Sequence, residues 1–442
     1  MSPLYNLPNE LLIIIFRFCD VYTLSQISMV CRQFCRVSYM ILNEKANHLL
    51  VTNQVSKKFC ERCKPLLSLN ISKFITHYNW KDGIFKERKV CELPLTFICN
   101  SGLQMTKNAV VFHGSNSLMA YNRTMNGTLK KEVIEICNSN IADITYCNDV
   151  IISSHRDGSL RFWRIQSQGK NTNYFAQLKI CSNVHDENIY RLDATSQHIL
   201  LSCQSDDIAT TKVSVKLQKN TYEKDGCVER NELFYRNKSF VTSILFDPIG
   251  TKFAANINQE SPIHSSVLIY DIDKSYQVME KKYDSFIMGG QVLWEDPHTV
   301  LTLNKDYIRK INYIKKIDMR TSEFVHICDT SSIPEWGHDK LTCFSSDYLS
   351  TIMTGTENGK VILWDQRKSA PIQMYQISPT KHPDSNLNTD MYSNQFHRKN
   401  IRSIQFDSTH LYAVTYENLI EFDFKGTNLD HKKVKNFFLN YF

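Results

Sequence analysis

The first 50 residues have the apolar spacing of amphipathic helices. Large apolar side chains recur every three or four positions in two runs, Leu7, Leu11, Leu12, Ile15 and Phe16 in the first and Leu24, Ile27, Val30, Cys31 and Phe34 in the second. This spacing places each run on one side of a helix. Pro8 suits a first helical turn, because its missing N–H would be unsatisfied there anyway. We therefore expect two or three short helices across residues 7–37.

These helices carry more apolar surface than so short a segment can bury. Units below about 40 residues rarely sustain a core of their own, so something else must cover the stripe. It is covered either by the rest of its own chain, as a helical hairpin packed on the main body, or by another protein.

From about residue 93 the helical spacing fades and a β pattern begins. Short runs rich in β-branched and aromatic residues are separated by Asn, Asp, Gly and Ser, which is typical of many short strands. Two segments are close copies, Ile151–Ile165 (IISSHRDGSLRFWRI) and Ile352–Gln366 (IMTGTENGKVILWDQ). Each has a strand, an Asp-Gly or Asn-Gly turn that suits a two-residue hairpin, and a second strand that reaches Trp163 or Trp364.

Weaker copies of the same unit fill the remaining sequence. Strands end near Trp163, Val215, Tyr270, Ile317, Trp364 and Phe422. Their spacing of about 50 residues exceeds the roughly 40–45 residues of a typical propeller repeat, so several units carry extended loops. One more unit fits at Leu95–Tyr121, which gives seven. A β-sandwich followed by other β-structure is the alternative, but it does not explain two distant copies of one strand–turn–strand–Trp unit.

Two stretches of the sequence each resemble a known family. LP-x-ELL-x-x-IF from Leu7 to Phe16, followed by S-x-VCR-x-F, resembles the F-box, whose helices dock onto the Skp1-type adaptor of a cullin-based ubiquitin ligase. The unit from Gly337-His338 to Trp364-Asp365 resembles a WD repeat, one blade of a propeller. Together they resemble the F-box/WD-repeat proteins. The resemblance is closest to the dactylin type in Asn79-Trp80, in Gly83, in the stretch HLYAVTYENLIEFDF at 410–424 and in the blade end KVILWDQR.

This resemblance implies a mainly β fold, a WD-repeat propeller of about seven blades with an N-terminal three-helix F-box module. We expect the F-box at residues 1–50, a linker at 51–92 and the propeller at 93–442. A ring closes best when one blade combines strands from both chain ends, since closure leaves no strand edge unpaired. We therefore expect Phe85–Cys91 to form the outer strand of the last blade.

The resemblance also implies two sets of contact residues. The residues expected to bind the adaptor are Leu7, Pro8, Leu11, Leu12, Ile15, Phe16, Leu24, Val30, Cys31 and Phe34. A substrate protein, whose identity the sequence does not give, is expected on the propeller. The residue before each hairpin turn should project there, which selects Arg156, Lys305 and Glu357. Binding residues concentrate in loops on rigid scaffolds, and an arginine suits recognition of a carboxylate or phosphate.

In WD repeats a His, a Ser or Thr, the turn Asp and the Trp form a hydrogen-bonded cluster that locks a blade. The resemblance assigns these places to His338 and Trp364, with Asn358 instead of the turn Asp. In the earlier copy it assigns them to Asp157, Ser159 and Trp163.

Sequence motifs for catalysis are weak, and we expect neither an enzyme nor a cofactor. Gly355–Lys360 (GTENGK) superficially resembles a phosphate loop but has the wrong spacing and lacks the Ser or Thr after Lys, so it predicts a hairpin turn. Cys60-x-x-Cys63 has no second ligand pair at zinc spacing, so no metal is expected. HExxH and G-x-S-x-G are absent from the sequence.

Composition bounds the remaining alternatives. A hydrophobic content of 42% and a charged content of 22% are ordinary for a soluble globular protein. No apolar run reaches the roughly 20 residues of a membrane span, and the N-terminus lacks a signal-peptide pattern. We therefore expect a cytoplasmic or nuclear protein with reduced cysteines.

The net charge of +7 is spread along the chain, and the basic tail at 425–435 does not interleave aromatic residues as single-strand binders do. Nucleic acid is not an expected partner.

The alternative function is a WD-repeat scaffold without a ligase role. In a scaffold the N-terminal helices would pack their apolar stripe on the chain's own propeller. In a substrate receptor, Leu11, Leu12, Ile15 and Phe16 would stay exposed until the adaptor arrives. An exposed apolar patch of this size is rare in monomers.

Overall fold

A computed structural model describes the chain at residues 7–46, 49–52, 56–63, 70–92, 102–124, 129–168, 172–181, 188–204, 211–217, 230–236, 239–259, 264–284, 286–321, 323–330, 339–368, 370–378 and 399–425. Within these ranges the chain forms five helices, and its strands build seven four-stranded antiparallel sheets. The expectation of a mainly β propeller preceded by helices is confirmed.

Three helices make up the N-terminal module, α1 (Asn9–Arg17), α2 (Val21–Ser28) and α3 (Arg32–Ala46). Asp20 caps α2, because its carboxylate accepts a hydrogen bond of 2.7 Å from the Thr23 backbone N–H. The rings of Phe16 and Phe34 meet edge to face with centroids 5.2 Å apart. The other buried residues of this core are Leu12, Val21, Leu24, Val37, Ile41, Leu42, Ala46, Leu49 and Phe74.

The segment expected to be a linker contains two more helices, α4 (Lys57–Arg62) and α5 (Asn70–Asp82). Helix α5 contributes Phe74 to the core of the N-terminal module. Near its other end, Trp80 is fully buried, its ring stacks on Phe424 at 3.5 Å, and its indole N–H donates to the Ser408 carbonyl at 3.0 Å. Helix α5 therefore joins the core of the helices to the core of the propeller.

The sheets are the blades of the propeller, numbered here in chain order. Blade 1 contains β2 (Leu103–Met105), β3 (Ala109–His113), β4 (Ser117–Arg123) and β5 (Leu129–Ile136). Blade 2 contains β6 (Ile141–Cys147), β7 (Val150–His155), β8 (Leu160–Gln168) and β9 (Thr172–Cys181). Blade 3 contains β10 (Asn188–Ala194), β11 (His198–Gln204), β12 (Thr211–Leu217) and β13 (Arg230–Arg236). Blade 4 contains β14 (Ser239–Phe246), β15 (Lys252–Gln259), β16 (His264–Asp271) and β17 (Tyr276–Lys282).

The last three blades follow the same order. Blade 5 contains β18 (Ile287–Asp296), β19 (Thr299–Asp306), β20 (Ile311–Asp318) and β21 (Glu323–Asp329). Blade 6 contains β22 (Leu341–Ser346), β23 (Thr351–Thr356), β24 (Lys360–Asp365) and β25 (Pro371–Gln376). Blade 7 contains β26 (Ser403–Phe406), β27 (His410–Val414), β28 (Asn418–Asp423) and, from before the propeller, β1 (Lys86–Glu92).

The ring closes through the first strand of each blade and through β1. Strand β2 contacts β6, and the contacts continue through β10, β14, β18 and β22 to β26, which contacts β2. Strand β1 pairs antiparallel with β28, from Lys86 opposite Asp423 to Glu92 opposite Asn418. The outer strand expected at Phe85–Cys91 is thus present, shifted by one residue. It ties the segment after the helices to the end of the chain.

The propeller has two distinct faces, because its strands alternate in direction. Turns between first and second strands, such as residues 347–350 and 407–409, lie on the face that contacts α4. We call it the linker face. Turns between second and third strands, such as 156–159, 307–310 and 357–359, lie on the opposite face, which we call the far face.

The expected cluster of Asp157, Ser159 and Trp163 is wrong. The Trp163 indole N–H donates to the Ser153 hydroxyl at 2.9 Å, and that hydroxyl lies 2.9 Å from Nε2 of His155. The Asp157 carboxylate instead accepts bonds from the hydroxyl and backbone N–H of Ser159, two residues later, and so stabilises the turn. The polar residues that hold the Trp come from the strand before the turn.

The second copy is similar. Trp364 donates to the Thr354 hydroxyl at 2.9 Å, while His338 lies outside the described residues. The carboxylate at the turn belongs to Asp339, which accepts bonds from the Thr356 hydroxyl and the Asn358 backbone N–H. Asn358 therefore does not replace a turn Asp; its backbone is held by an Asp that precedes the blade.

Burial of His155 predicts acid sensitivity in blade 2. Burial lowers the pKa of His155 to about 4, whereas in the unfolded chain the pKa lies near 6.5. The unfolded state therefore binds the proton first, and the free energy of unfolding falls as the pH drops from about 6.5 to about 4. We expect His155→Gln to remove roughly 2–3 kcal/mol of this loss. Urea unfolding at pH 7 and pH 4.5 measures it. The exposed His264→Gln is the control, and equal pH dependence in all three proteins would contradict the prediction.

Candidate functional site

One side of α1 presents a continuous apolar stripe to solvent. Leu11, Ile14, Ile15 and Phe18, which we call the outer stripe, are 46%, 54%, 40% and 88% exposed. Their spacing of three and four residues places them on one side of the helix. Val30, in the turn between α2 and α3, is 68% exposed. Such a stripe is typical of a surface that another protein covers.

Four of the residues expected to bind the adaptor lie elsewhere. Leu12, Phe16, Leu24 and Phe34 are 0%, 3%, 0% and 9% exposed and form the module's own core. The expectation that Leu12 and Phe16 stay exposed is therefore wrong. Helix α1 has apolar residues on two sides, and its inner side packs against α3 in a core to which α2 and α5 also contribute.

The remaining residues of that set lie at the margin of the core. Leu7 and Cys31 are partly buried and pack against it. Pro8 is exposed and precedes α1, and its carbonyl accepts the first backbone bonds of the helix from Leu11 and Leu12 at 3.2 Å. The expected set thus divides into an exposed part, a marginal part and a structural part.

The three residues expected on the substrate face all lie on the far face. Arg156 is exposed in the turn after β7, and its guanidinium lies 5.9 Å from the Tyr190 ring. Lys305 and Glu357 lie further round the ring, where they line the mouth of the central cavity. The structure therefore brings Lys305 and Glu357 together and leaves Arg156 apart from them.

The cavity mouth is more basic than the sequence analysis indicated. Lys340 and Arg402 line the mouth beside Lys305, around a cavity of about 740 Å³. Burial and the positive charges of Arg402 and Lys340 lower the pKa of Lys305, while Glu357 opposes this shift. The ammonium of Lys340 lies 4.0 Å from the Glu357 carboxylate. Lys340 and Arg402 each immediately precede the first strand of a blade. They do not lie before a hairpin turn, so the hairpin pattern in the sequence does not point to them.

The motifs weighed for chemistry have structural positions. Cys63 is buried in the core between α4 and the propeller, and burial raises the pKa of its thiol to about 12. Its sulfur lies 3.5 Å from the Ser408 hydroxyl. Within the described ranges, no three His, Cys, Asp or Glu side chains form a group that could hold a metal ion. Residues 357–359 form the turn expected in GTENGK. None of the five helices described here is long and apolar enough to cross a membrane.

Comparison with known proteins finds a family match in the N-terminal helices and relatives over nearly the whole chain. The F-box-like family matches residues 4–42. The human F-box/WD repeat-containing protein 4 is 23% identical over 452 residues, which cover 96% of this chain and 93% of that protein. The mouse protein of the same name is 22% identical and covers 96% and 94%. Among solved structures, the computationally designed Ika8 protein matches 76% of this chain and 99% of its own, with a TM-score of 0.47 and 12% identity.

The described residues thus form a helical module with an exposed apolar stripe, joined to a closed propeller whose cavity mouth carries Lys305, Lys340 and Arg402. The F-box-like match at residues 4–42 and the similarity over nearly the whole chain support an F-box/WD-repeat protein. The resemblance expected from the sequence is confirmed. Proteins of this kind are typically adaptors rather than enzymes, and an F-box in general implies binding to a Skp1-type adaptor.

Proposed function

We propose that this chain is the substrate-recognition subunit of a cullin-type ubiquitin ligase. The outer stripe docks the Skp1-type adaptor, and through it a cullin. The far face of the propeller binds the protein to be ubiquitylated. The observation that carries this proposal is the exposure of Leu11, Ile14, Ile15 and Phe18 within the F-box-like segment. In this role the chain acts by bringing two proteins together, in the cytoplasm or nucleus.

The exposed stripe also separates this proposal from the scaffold alternative. A scaffold would cover the apolar side chains of α1 with its own propeller. Here the inner side of α1 is covered by the other helices, and the outer stripe remains open. A partner that covers the outer stripe would therefore gain roughly 25 cal/mol for each Å² of apolar surface removed from water.

Binding of the purified full-length chain to a purified Skp1-type adaptor tests the proposal directly. Isothermal titration calorimetry should give a saturable complex with a negative heat-capacity change, since apolar surface is buried. A chain that is folded by circular dichroism but does not bind the adaptor would refute the proposal in favour of a scaffold. If the adaptor binds, affinity capture from cells is the next experiment. The captured proteins are probed for the cullin and sequenced to find the substrate.

Charge reversal tests the substrate face. Arg156→Glu combined with Lys305→Glu should weaken substrate capture by about tenfold or more, since two favourable charge contacts become repulsive. Adaptor affinity should not change, because the two surfaces belong to different parts of the chain. The measurement is quantitative capture of substrate by the variant and the parent protein. Equal capture would exclude the far face and leave the sides of the blades or the linker face.

A further inference from the structure

Helix α4 lies against the linker face of the propeller. At its C-terminal end, Arg62 contacts blade 6 with its side chain and blade 1 with its backbone. The ammonium of Lys58 lies 5.7 Å from the centre of the Tyr348 ring, in the turn of blade 6. A helix of six residues therefore contacts the two blades on either side of blade 7.

The Arg62 side chain is held on the linker face by directional and aromatic contacts. Arg62 is only 7% exposed. Its guanidinium donates to the Ser345 hydroxyl at 3.1 Å and to the Ser346 carbonyl at 2.5 Å. It also lies 5.2 Å from the centre of the Tyr348 ring and 5.8 Å from that of Phe406. A planar guanidinium with several donors suits such a buried site better than a flexible ammonium.

The backbone of Arg62 is held by a second buried arginine. Nη1 of Arg123 donates to the Arg62 carbonyl at 2.7 Å and to the Thr106 carbonyl at 2.9 Å. Nη2 of Arg123 pairs with the Asp407 carboxylate, and the side chains of this pair are 0% and 1% exposed. Both ends of Arg62 are thus fixed to blades that lie on either side of the closure.

The segment after the N-terminal helices makes further contacts with the propeller, both apolar and polar. Phe59, Cys63 and Trp80 belong to one core with side chains of blades 6 and 7, and apolar burial of this kind is non-directional. The backbone N–H of Val51 donates to the Thr351 hydroxyl, and near the end of α5 Asn79 and Trp80 donate to the carbonyls of Phe424 and Ser408. From α4 itself, Arg62 adds two directional bonds to blade 6.

We propose that Arg62 is a positioning residue for the direction in which the N-terminal helices project from the propeller. Without its guanidinium, the apolar core and the bonds of Val51, Asn79 and Trp80 still join the two parts, but α4 loses its bonds to blade 6 and the helices sample a wider range of orientations. A further consequence rests on the function proposed above. Arg62 would then set the distance between the adaptor on the outer stripe and the substrate on the far face.

Single-molecule energy transfer within the full-length chain tests the proposal without any partner. Tyr39 of α3 and Tyr307 on the far face are 51% and 52% exposed, and p-azidophenylalanine in their place gives two dye sites of nearly unchanged shape. Arg62→Met keeps the apolar stem and removes the guanidinium. Arg88→Met is the matched control, because Arg88 lies in β1, pairs with Glu421 at 2.7 Å and loses the same charge.

The parent protein and Arg88→Met should each give one narrow distance distribution. Arg62→Met should give a wider or shifted distribution at temperatures where circular dichroism shows an intact propeller. An Arg62→Met distribution that coincides with the parent's would overturn the proposal. If Arg62→Met does not fold, Arg62→Lys and Ser345→Ala decide instead. Widening in both supports the positioning role, and an unchanged distribution in both overturns it.

Adaptor titration on the same proteins keeps this inference apart from the proposed function. Arg62→Met should bind the adaptor as tightly as the parent, because Arg62 is separate from the outer stripe. A parent protein that fails to bind the adaptor would refute the ligase function. The comparison of distance distributions between parent and Arg62→Met would still decide the role of Arg62.

Discussion

Leu11→Asp combined with Ile15→Asp is expected to reduce affinity for the Skp1-type adaptor by about a thousandfold, equivalent to roughly 4 kcal/mol. Both side chains belong to the outer stripe, where they are 46% and 40% exposed. In a dry interface, a carboxylate without a partner costs several kcal/mol or must take up a proton. In the free protein both carboxylates remain in water, so the helices should stay folded. Calorimetric titration of the variant with the adaptor measures the loss.

The control for this variant is Ile136→Asp on the outer strand of blade 1, where Ile136 is 70% exposed. It adds the same charge at an exposed apolar site away from the helices, and it should leave adaptor affinity unchanged. Phe16→Asp should behave differently from both, because Phe16 packs on Phe34 in the core and its loss should unfold the module. Tight adaptor binding by the doubly substituted stripe would show that α1 is not the docking surface.

The division of α1 into an inner and an outer stripe could be predicted from the sequence only in part. Periodicity located Leu11, Leu12, Ile15 and Phe16 on a helix, but Leu12 and Phe16 face the core while Leu11 and Ile15 face solvent. A helix with apolar residues over more than half its circumference has no unique inner side in the sequence. The rest of the module's core decides, and one residue of that core, Phe74, comes from α5, in a segment where no helix was expected.

The propeller was predictable because each blade repeats one short unit. Trp163 and Trp364 each lie in the third strand of a blade, and each donates to a hydroxyl ten positions earlier, that of Ser153 or Thr354. That spacing follows from antiparallel pairing across a tight turn. The carboxylate partner was not predictable in the same way, since Asp339 reaches its turn from the connection before the blade. Contacts between distant parts of the chain leave no periodic signal.

Helix α4 shows the same limit most clearly. Its sequence, KKFCER, has too few residues to show a helical period, and four of its six residues are charged. In the sequence it stands out only through Cys60, as half of the Cys60-x-x-Cys63 metal-like motif. In the structure, Phe59 and Cys63 are buried because the linker face supplies the apolar surface that the segment itself lacks. The function of Arg62 depends wholly on groups more than 60 residues away along the chain.

The buried pair of Arg123 and Asp407 should give the largest single loss of stability. Burial alone would raise the pKa of Asp407, but the charges of Arg123 and His410 and the backbone N–H of Thr409 outweigh burial and hold it at about 2. Arg123→Met leaves this carboxylate buried without its cation. We expect the free energy of unfolding to fall by about 3–5 kcal/mol, as is typical when one partner of a buried pair is removed. Chemical unfolding at pH 7, followed by tryptophan fluorescence, measures the loss. Arg320→Met, which breaks an exposed pair with Asp318, should leave the midpoint unchanged.

The double variant Arg123→Met with Asp407→Asn separates the lost attraction from the stranded charge. An asparagine at 407 still accepts from the backbone N–H groups of Thr409 and His410, which lie 2.7 Å from the carboxylate. It carries no charge, so the double variant should recover more than half of the loss.

The free energy of unfolding should also depend on pH with opposite sign in the parent and in Arg123→Met. In the parent, the stabilisation by ionised Asp407 is complete above the unfolded pKa near 4 and is lost as the pH falls towards 2. In Arg123→Met, burial dominates the pKa of Asp407, so stability should instead rise as acid neutralises the stranded carboxylate. A double variant no more stable than Arg123→Met would show that Arg123 acts through its bonds to the Arg62 and Thr106 carbonyls, and not through its charge.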